Sequence, residues 1–439
     1  MLDSLKIFLP VLERVWEIVK IWWWLPMPFI LWWPFSFLWL WWRADKFSSE
    51  SPYLLLEIKI PKEVLKPIRA MEVVLDGLWQ IAYDEAGTIY EKWVEGKSSL
   101  AYSFEIVSIE GEPHFYIQIP KANIDAIEGS IYAQYPNAEI SIVDDYIKKI
   151  PQDIPNQEWD LWGADYKLLK PSPYPIKTYL EFESEREALE EKRIDPIATL
   201  LEVMAKIEKG EQLWVQIVAT PVTNKEVPWV EEGEAIRDEL SKRNPKKAKQ
   251  RSILGEATEV LLTGNIPEDK KEEVKEILPP EMKLTMGERD IVSAIERKMA
   301  KRGFETNIRF IYLGQKDVFF KPKLRLALAY FSNFGTQNFN NLVPHGQPYI
   351  TKIQKSMIPL LNIGFKRREY LRKRKIYRNY VNRVQPNYPA SPKYPSSFIL
   401  NTEEVASIYH FPGRESASAP FMQRIETKKG EAPMDLPME

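Results

Sequence analysis

The chain has 439 residues, room for two or three globular domains, and its charges nearly cancel, with 60 lysines and arginines against 62 aspartates and glutamates. So balanced a chain has no global pull toward nucleic acid, and any anion-binding site must be local. It has no cysteine, which excludes disulfides, thiolate zinc sites and cysteine nucleophiles and fits a reducing compartment.

Residues 1–20 place Leu5, Phe8, Leu9, Leu12, Trp16 and Val19 at helical spacing, which predicts an amphipathic helix lying on a membrane or packed in a bundle. Next comes Ile21 to Trp42, bounded by Lys20 and Arg43. It carries no charge, its one polar side chain is Ser36, and it holds eight of the fifteen tryptophans: Trp22, Trp23, Trp24, Trp32, Trp33, Trp39, Trp41 and Trp42. As one helix it would be about 33 Å long, close to a bilayer's hydrocarbon thickness, so residues 21–43 read as a membrane anchor. Pro26, Pro28 and Pro34 remove backbone donors, and tryptophan favours the interface. The rival readings are therefore a re-entrant hairpin turning near Pro34, an interfacial segment, or a buried soluble helix.

Residues 50–146 predict an α+β domain. Tyr53 to Ile60 reads as a strand, and Lys66 to Tyr83 as a helix facing inward with Ile68, Met71, Leu75, Leu78 and Ala82. Leu100 to Val107 and His114 to Ile119 alternate around the Glu110-Gly-Glu112 turn as a hairpin. A helix over Asn123 to Tyr135 and a strand over Ala138 to Val143 complete the order βαββαβ of a ferredoxin-like split sandwich.

Residues 147–175, with Trp159 and Trp162, read as a connector. A second α+β domain is expected over 176–345, starting with a strand at Ile176 to Phe182. A helix follows, opened by Asp195 and Pro196 and closed by Gly210, then a strand over Gln212 to Ala219. A charged helical insertion covers 228–280. Thr285 and Glu288 form a capping box for a helix to Arg302, followed by a strand over Thr306 to Leu313 and a helix over Lys323 to Phe334. This half looks like a divergent second ferredoxin-like lobe, although no residue-level repeat supports the equivalence.

Residues 346–385 form a basic helical segment. Within Lys366 to Arg383 nine of eighteen residues are basic and Glu369 alone is acidic. Lys366, Arg367, Arg368, Arg372, Lys373, Arg374, Lys375 and Arg378 are the candidate contacts for nucleic acid or anionic lipid. The competing reading is a solvated basic helix packed by Tyr370, Ile376 or Tyr377, and Tyr380, or docked on an acidic protein. Residues 386–439 read as a proline-rich linker and a tail, interrupted by a short helix from Asn401 to about Tyr409.

Catalytic signatures are missing. There is no phosphate loop, no nucleophile elbow and no His-Glu-x-x-His, and His114, His345 and His410 match no metal-ligand spacing. The expectation is a noncatalytic protein with neither cofactor nor metal.

The run Ser103-Phe-Glu-Ile-Val-Ser-Ile-Glu-Gly-Glu-Pro-His-Phe-Tyr-Ile-Gln-Ile-Pro120, continued by Ile131-Tyr-Ala-Gln-Tyr-Pro136, resembles the N-terminal region of membrane-anchored type IV secretion and conjugative DNA-transfer ATPases of the HerA/FtsK-like superfamily. So does Phe398-Ile-Leu-Asn-Thr-Glu-Glu-Val-Ala-Ser-Ile-Tyr-His-Phe-Pro-Gly413. The resemblance covers about residues 50–430 and carries no catalytic residue. In that family such domains precede a RecA-like motor, and this chain stops where the motor would begin. The resemblance implies a noncatalytic inner-membrane component with cytoplasmic domains, docking a separate DNA-translocating ATPase, with nucleic acid and a second copy of the chain as candidate partners. The alternative is a membrane-bound scaffold, unrelated to DNA, whose basic helix grips anionic lipid or an acidic protein.

Overall fold

The computed structural model describes residues 16–17, 20, 24–25, 27–61, 66–84, 86–182, 195–241, 284–320, 322, 324–346, 349–353, 364–384 and 397–413. The chain divides into two compact units, Met1–Pro52 with Asp84–Leu100, and Tyr53–Tyr83 with Ala101–Glu439.

The first unit is built on helix α1, Met27–Glu50. It runs without a break through Pro34, so the hairpin turn expected there does not form. Trp24 and Leu25 stand before it in a turn and a bend, which leaves residues 27 to 42 as its uncharged part, about 24 Å of helix against a core of about 30 Å. Arg43, Asp45, Lys46 and Glu50 occupy the rest. No helix among the described residues is long and apolar enough to cross a membrane, so the expected spanning anchor finds no support among them. Of the predicted amphipathic helix, Trp16, Glu17 and Lys20 are helical and the remainder lies outside the described residues, as do Trp22 and Trp23.

Against α1 packs a short π-helical turn, Glu91–Glu95, from the excursion Asp84–Leu100. The Trp93 ring stacks on Trp32 at 5.8 Å, and Trp39 Nε1 donates to Trp93 O at 2.9 Å. Gly96 closes the turn at φ +73°, where a Cβ would meet Arg43 O at 2.3 Å. Only glycine tolerates both the left-handed backbone and that approach. The Gly96→Val variant is therefore expected to loosen the turn from α1, read as faster amide exchange over residues 88–97.

The second unit is a nine-stranded antiparallel sheet. Its first half contains β1 (Tyr53–Lys59), α2 (Arg69–Ala82), β2 (Tyr102–Ile109), β3 (Glu112–Pro120), α3 (Ile124–Gln134) and β4 (Glu139–Val143), paired in the order β4-β1-β3-β2. The βαββαβ order stands as read, although burial does not follow the strand alternation, β2 being covered on both faces. Met71, Leu75, Leu78 and Ala82 of α2 lie in the core with Phe104, Ile106, Phe115 and Ile117 of the hairpin. The residues between α2 and β2 leave this half for the first unit, which the 50–146 boundary did not foresee.

The second half corrects two boundaries. The supposed connector supplies β5 (Trp159–Leu168), paired with β7 (Gly303–Gln315) and with β8 (Leu342–Pro344). The strand expected at Ile176 to Phe182 is absent, and Tyr179–Phe182 is a helical turn, α4. Side chains from elsewhere take that segment's backbone donors, Ile176 N giving to Glu404 Oε1 at 2.9 Å and Tyr179 N to Ser407 Oγ at 2.8 Å. No ladder can form on donors already used.

Helix α5 (Ile197–Ala205) follows, with Asp195 accepting from Ile197 N, then β6 (Glu211–Val222), α6 (Trp229–Leu240), α7 (Met286–Met299) and, after β7, α8 (Leu324–Ser332). The Thr285 and Glu288 capping box opens α7 as read. Residues 242–283, most of the expected insertion, lie outside the described residues.

The sheet order is β4-β1-β3-β2-β6-β7-β5-β8. Numbering β5, β6, β7 and β8 as first to fourth gives the same order in the second half, fourth, first, third, second. The two halves meet through their second strands, β2 and β6. Helices α2 and α3 pack together in one half, and α5 and α8 in the other. The fold is thus duplicated although the residues are not.

Three further elements finish the unit. Helix α9 (Phe365–Val381) covers a second core, with Ile376, Tyr377 and Tyr380 packed among Leu55, Tyr116, Tyr146 and Trp214. The supposed C-terminal linker contains β9 (Phe398–Asn401), paired with β7, and α10 (Thr402–Ile408), which rests on α2 and α4. Asn401 and Glu404 form the α10 capping box. The flanking 385–396 and 414–439 lie outside the described residues.

Candidate functional site

A polar row crosses the sheet under α9. Glu57, Tyr116, Glu105, Gln216, Arg309 and Asp165 stand directly opposite one another on β1, β3, β2, β6, β7 and β5. Residues so paired share one face, so the row is a single continuous line. Its buried members satisfy each other. Glu105 accepts from Ser103 Oγ at 2.7 Å, Tyr146 OH at 2.8 Å and Gln216 Nε2 at 2.9 Å, and Arg309 Nε donates to Asp165 Oδ1 at 2.6 Å. Burial pushes the Asp165 carboxyl above its usual range, against the pull of Arg309.

The C-terminal end of α9 locks into this row. Arg383 Nε reaches Glu105 Oε1 and Arg383 Nη1 reaches Asp145 Oδ2, both at 2.8 Å. Burial works against the cation, yet Glu105 and Asp145 hold its pKa above the ordinary arginine value. Tyr380 OH lies 2.7 Å from Tyr146 OH, and burial raises both phenols well above their usual range.

At the row's far end Glu57 lies 2.7 Å from His114 Nδ1. That hydrogen bond, opposed by burial, holds the Glu57 carboxyl below its ordinary 4.5. A depressed carboxyl contributes stability above the unfolded pKa and loses it as pH falls through the folded one. The His114→Leu variant should therefore be less stable than the wild type by about 1 kcal/mol near neutrality, a value discounted for partial exposure. In acid titrations of urea unfolding the difference should shrink as pH falls below the ordinary 4.5 and through the depressed value of the folded state.

The predicted basic contacts divide. Lys366, Arg367, Arg368, Arg374, Lys375 and Arg378 are exposed, Arg372 is half-buried, and Lys373 is buried. Lys373 Nζ is held by Asp160 at 2.6 Å and Glu369 at 3.5 Å and so leaves the candidate surface. Of the expected packing tyrosines, Tyr377 and Tyr380 are buried, whereas Tyr370 is 41% exposed. An open groove of about 440 Å³ runs beside α9, lined by Arg374, Lys375 and Arg378 with Leu371, Tyr377 and Val381.

The predicted aromatic anchor is the other candidate surface. Trp24, Trp32, Trp33, Trp39 and Trp42 are exposed and Trp41 is half-buried. None of the 24 residues of α1 is buried, and Phe29 and Trp33 are 81% and 77% exposed.

Sequence reasoning passed over Glu105, Asp165, Arg309 and Arg383. The available signal was one charge in the middle of each apolar strand, at Glu105 between Phe104 and Ile106 and at Arg309 between Ile308 and Phe310. No group of histidine and acidic residues among the described residues is arranged to hold a metal ion.

These features define an α+β protein with one large antiparallel sheet, a cationic helix on it and an aromatic helix in a separate unit. The chain belongs to the family described as a domain of unknown function, DUF8128, which matches residues 44–424. No curated protein matches it.

Proposed function

We propose that the protein is a noncatalytic, membrane-tethered docking component, held at the cytoplasmic face of the inner membrane, for a separately encoded DNA-translocating ATPase. The observation that carries the tether is α1, a helix rich in tryptophan that buries none of its residues. An apolar surface of this extent is stable only against another apolar phase, and monomeric soluble proteins rarely expose one. At about 24 Å its uncharged part suits the bilayer interface, where tryptophan rings settle, better than a full crossing.

The ATPase half of the reading rests on the resemblance, and one packing feature supports it. The two stretches that carry the resemblance are far apart in sequence yet fold together. Phe411 meets Phe115 at 5.6 Å and Tyr135 at 5.1 Å, and Tyr409 OH donates to Tyr116 O at 3.2 Å. A shared sequence signature then corresponds to one structural module.

Phe29→Asp with Trp32→Asp and Trp33→Asp should move the full chain from the membrane fraction to the soluble one. A wild type that fractionates as soluble would overturn the tether. Crosslinking in the native host should recover a RecA-like motor ATPase with the full chain, and repeated recovery of none would overturn the docking role.

A further inference from the structure

We propose that the groove beside α9 binds the phosphate-bearing headgroup of an anionic phospholipid. Three cations, Arg374 and Lys375 on one turn of α9 and Arg378 on the next, line the groove, and all are exposed. Its remaining lining is mostly apolar: Leu371, Tyr377 and Val381. Gln152 completes it, with Nε2 already given to Ile147 O and Ile150 O. Acids act on this lining too: Asp153 on both Arg374 and Tyr377, Asp145 on Tyr377, and Asp165 interacts with Lys375.

Cations over an apolar floor match a headgroup phosphate with the start of its acyl chains beneath. Leu371, 54% exposed between Arg367 and Arg374 along one side of the helix, extends that floor outward. Nucleic acid would call for free aromatic faces on which bases stack. Here the Tyr370 ring is covered by the Arg374 guanidinium at 5.9 Å, with Arg374 Nη1 donating to Tyr370 OH at 3.0 Å, and Tyr377 stacks on Trp214. The surface is therefore arranged for charge and apolar contact rather than stacking.

This inference rests on the membrane reading above only for bringing the protein near lipid, and one experiment separates the two. Full chain is added to vesicles of phosphatidylcholine alone and of phosphatidylcholine with phosphatidylserine, at low salt and at about 1 M salt, where the screening length is about 3 Å. The wild type should prefer the anionic vesicles by about a hundredfold at low salt, each of the three cations giving about fivefold, and lose the preference at high salt. R374Q/K375Q/R378Q should abolish the preference and leave binding to neutral vesicles unchanged. All three side chains are exposed, so its thermal unfolding should match the wild type.

An unchanged preference in that variant would overturn the groove. So would a wild type that binds both vesicles alike while a single-stranded oligonucleotide binds it and not the variant, which would give the site to nucleic acid. A wild type that ignores neutral vesicles yet keeps the preference for anionic ones would overturn the α1 tether and support the groove.

Discussion

Glu404→Leu is expected to destabilise the protein by about 3–5 kcal/mol, because it strands a buried ammonium. Lys298 and Glu404 have no exposed side-chain surface, and Lys298 Nζ lies 2.9 Å from Glu404 Oε2. Burial pushes the glutamate's pKa up and the lysine's down, so each depends on the other for its charge. Glu404 also accepts from Ile176 N and Asn401 N, both at 2.9 Å, which ties α10 to the segment before α4. Losing it frees two backbone donors as well as a charge. The urea midpoint should fall and exchange should quicken over residues 398–411. Replacing both partners, Lys298→Met with Glu404→Leu, should recover much of the loss, since a well-packed apolar pair avoids the desolvation of two ions. A single variant as stable as the wild type would mean that the pair is not buried in solution.

Glu105→Leu is expected to cost a similar amount by a different route. Five hydrogen bonds from four side chains, those of Ser103, Tyr146, Gln216 and Arg383, converge on this carboxylate. Its loss leaves Arg383 with Asp145 and orphans several buried donors, each costing about 1–3 kcal/mol. Because Arg383 fastens the end of α9, amide protection should fall over residues 376–384 before it falls in β6 and β7. Glu105→Gln keeps the acceptor but not the charge and should lose less. Equal losses for the two variants would show that the charge contributes nothing.

The first half of the sheet was legible because it obeys local rules. Tyr102, Phe104 and Ile106 alternate with residues of the opposite face, and Ile68, Met71, Leu75, Leu78 and Ala82 recur at helical spacing. Asn401 with Glu404 and Thr285 with Glu288 cap their helices within a single turn. The second half was harder, since the apolar pattern of β5 is interrupted by Gly163 and by Asp160 and Asp165, both of which have distant partners in Lys373 and Arg309. Ile176 to Phe182 has the alternation of a strand but spends its backbone donors on Glu404 and Ser407. The basic run was visible as a charge cluster. That Lys373 is internal while Arg374 and Lys375 are not depends on Asp160, more than two hundred residues earlier.

The sequence by itself determined the βαββαβ half, the capped helices, the aromatic stretch and the cationic segment, because each depends on neighbours within a turn or a strand. Tertiary structure alone decided that β2 pairs with β6, that Glu105, Gln216, Arg309 and Asp165 form one line, and that the C-terminal β9 and α10 close over the helices. A period of two marks which face of a strand is buried but carries no record of which strand lies beside it. That choice is made by long-range packing and by buried charges finding partners, neither of which leaves a local pattern.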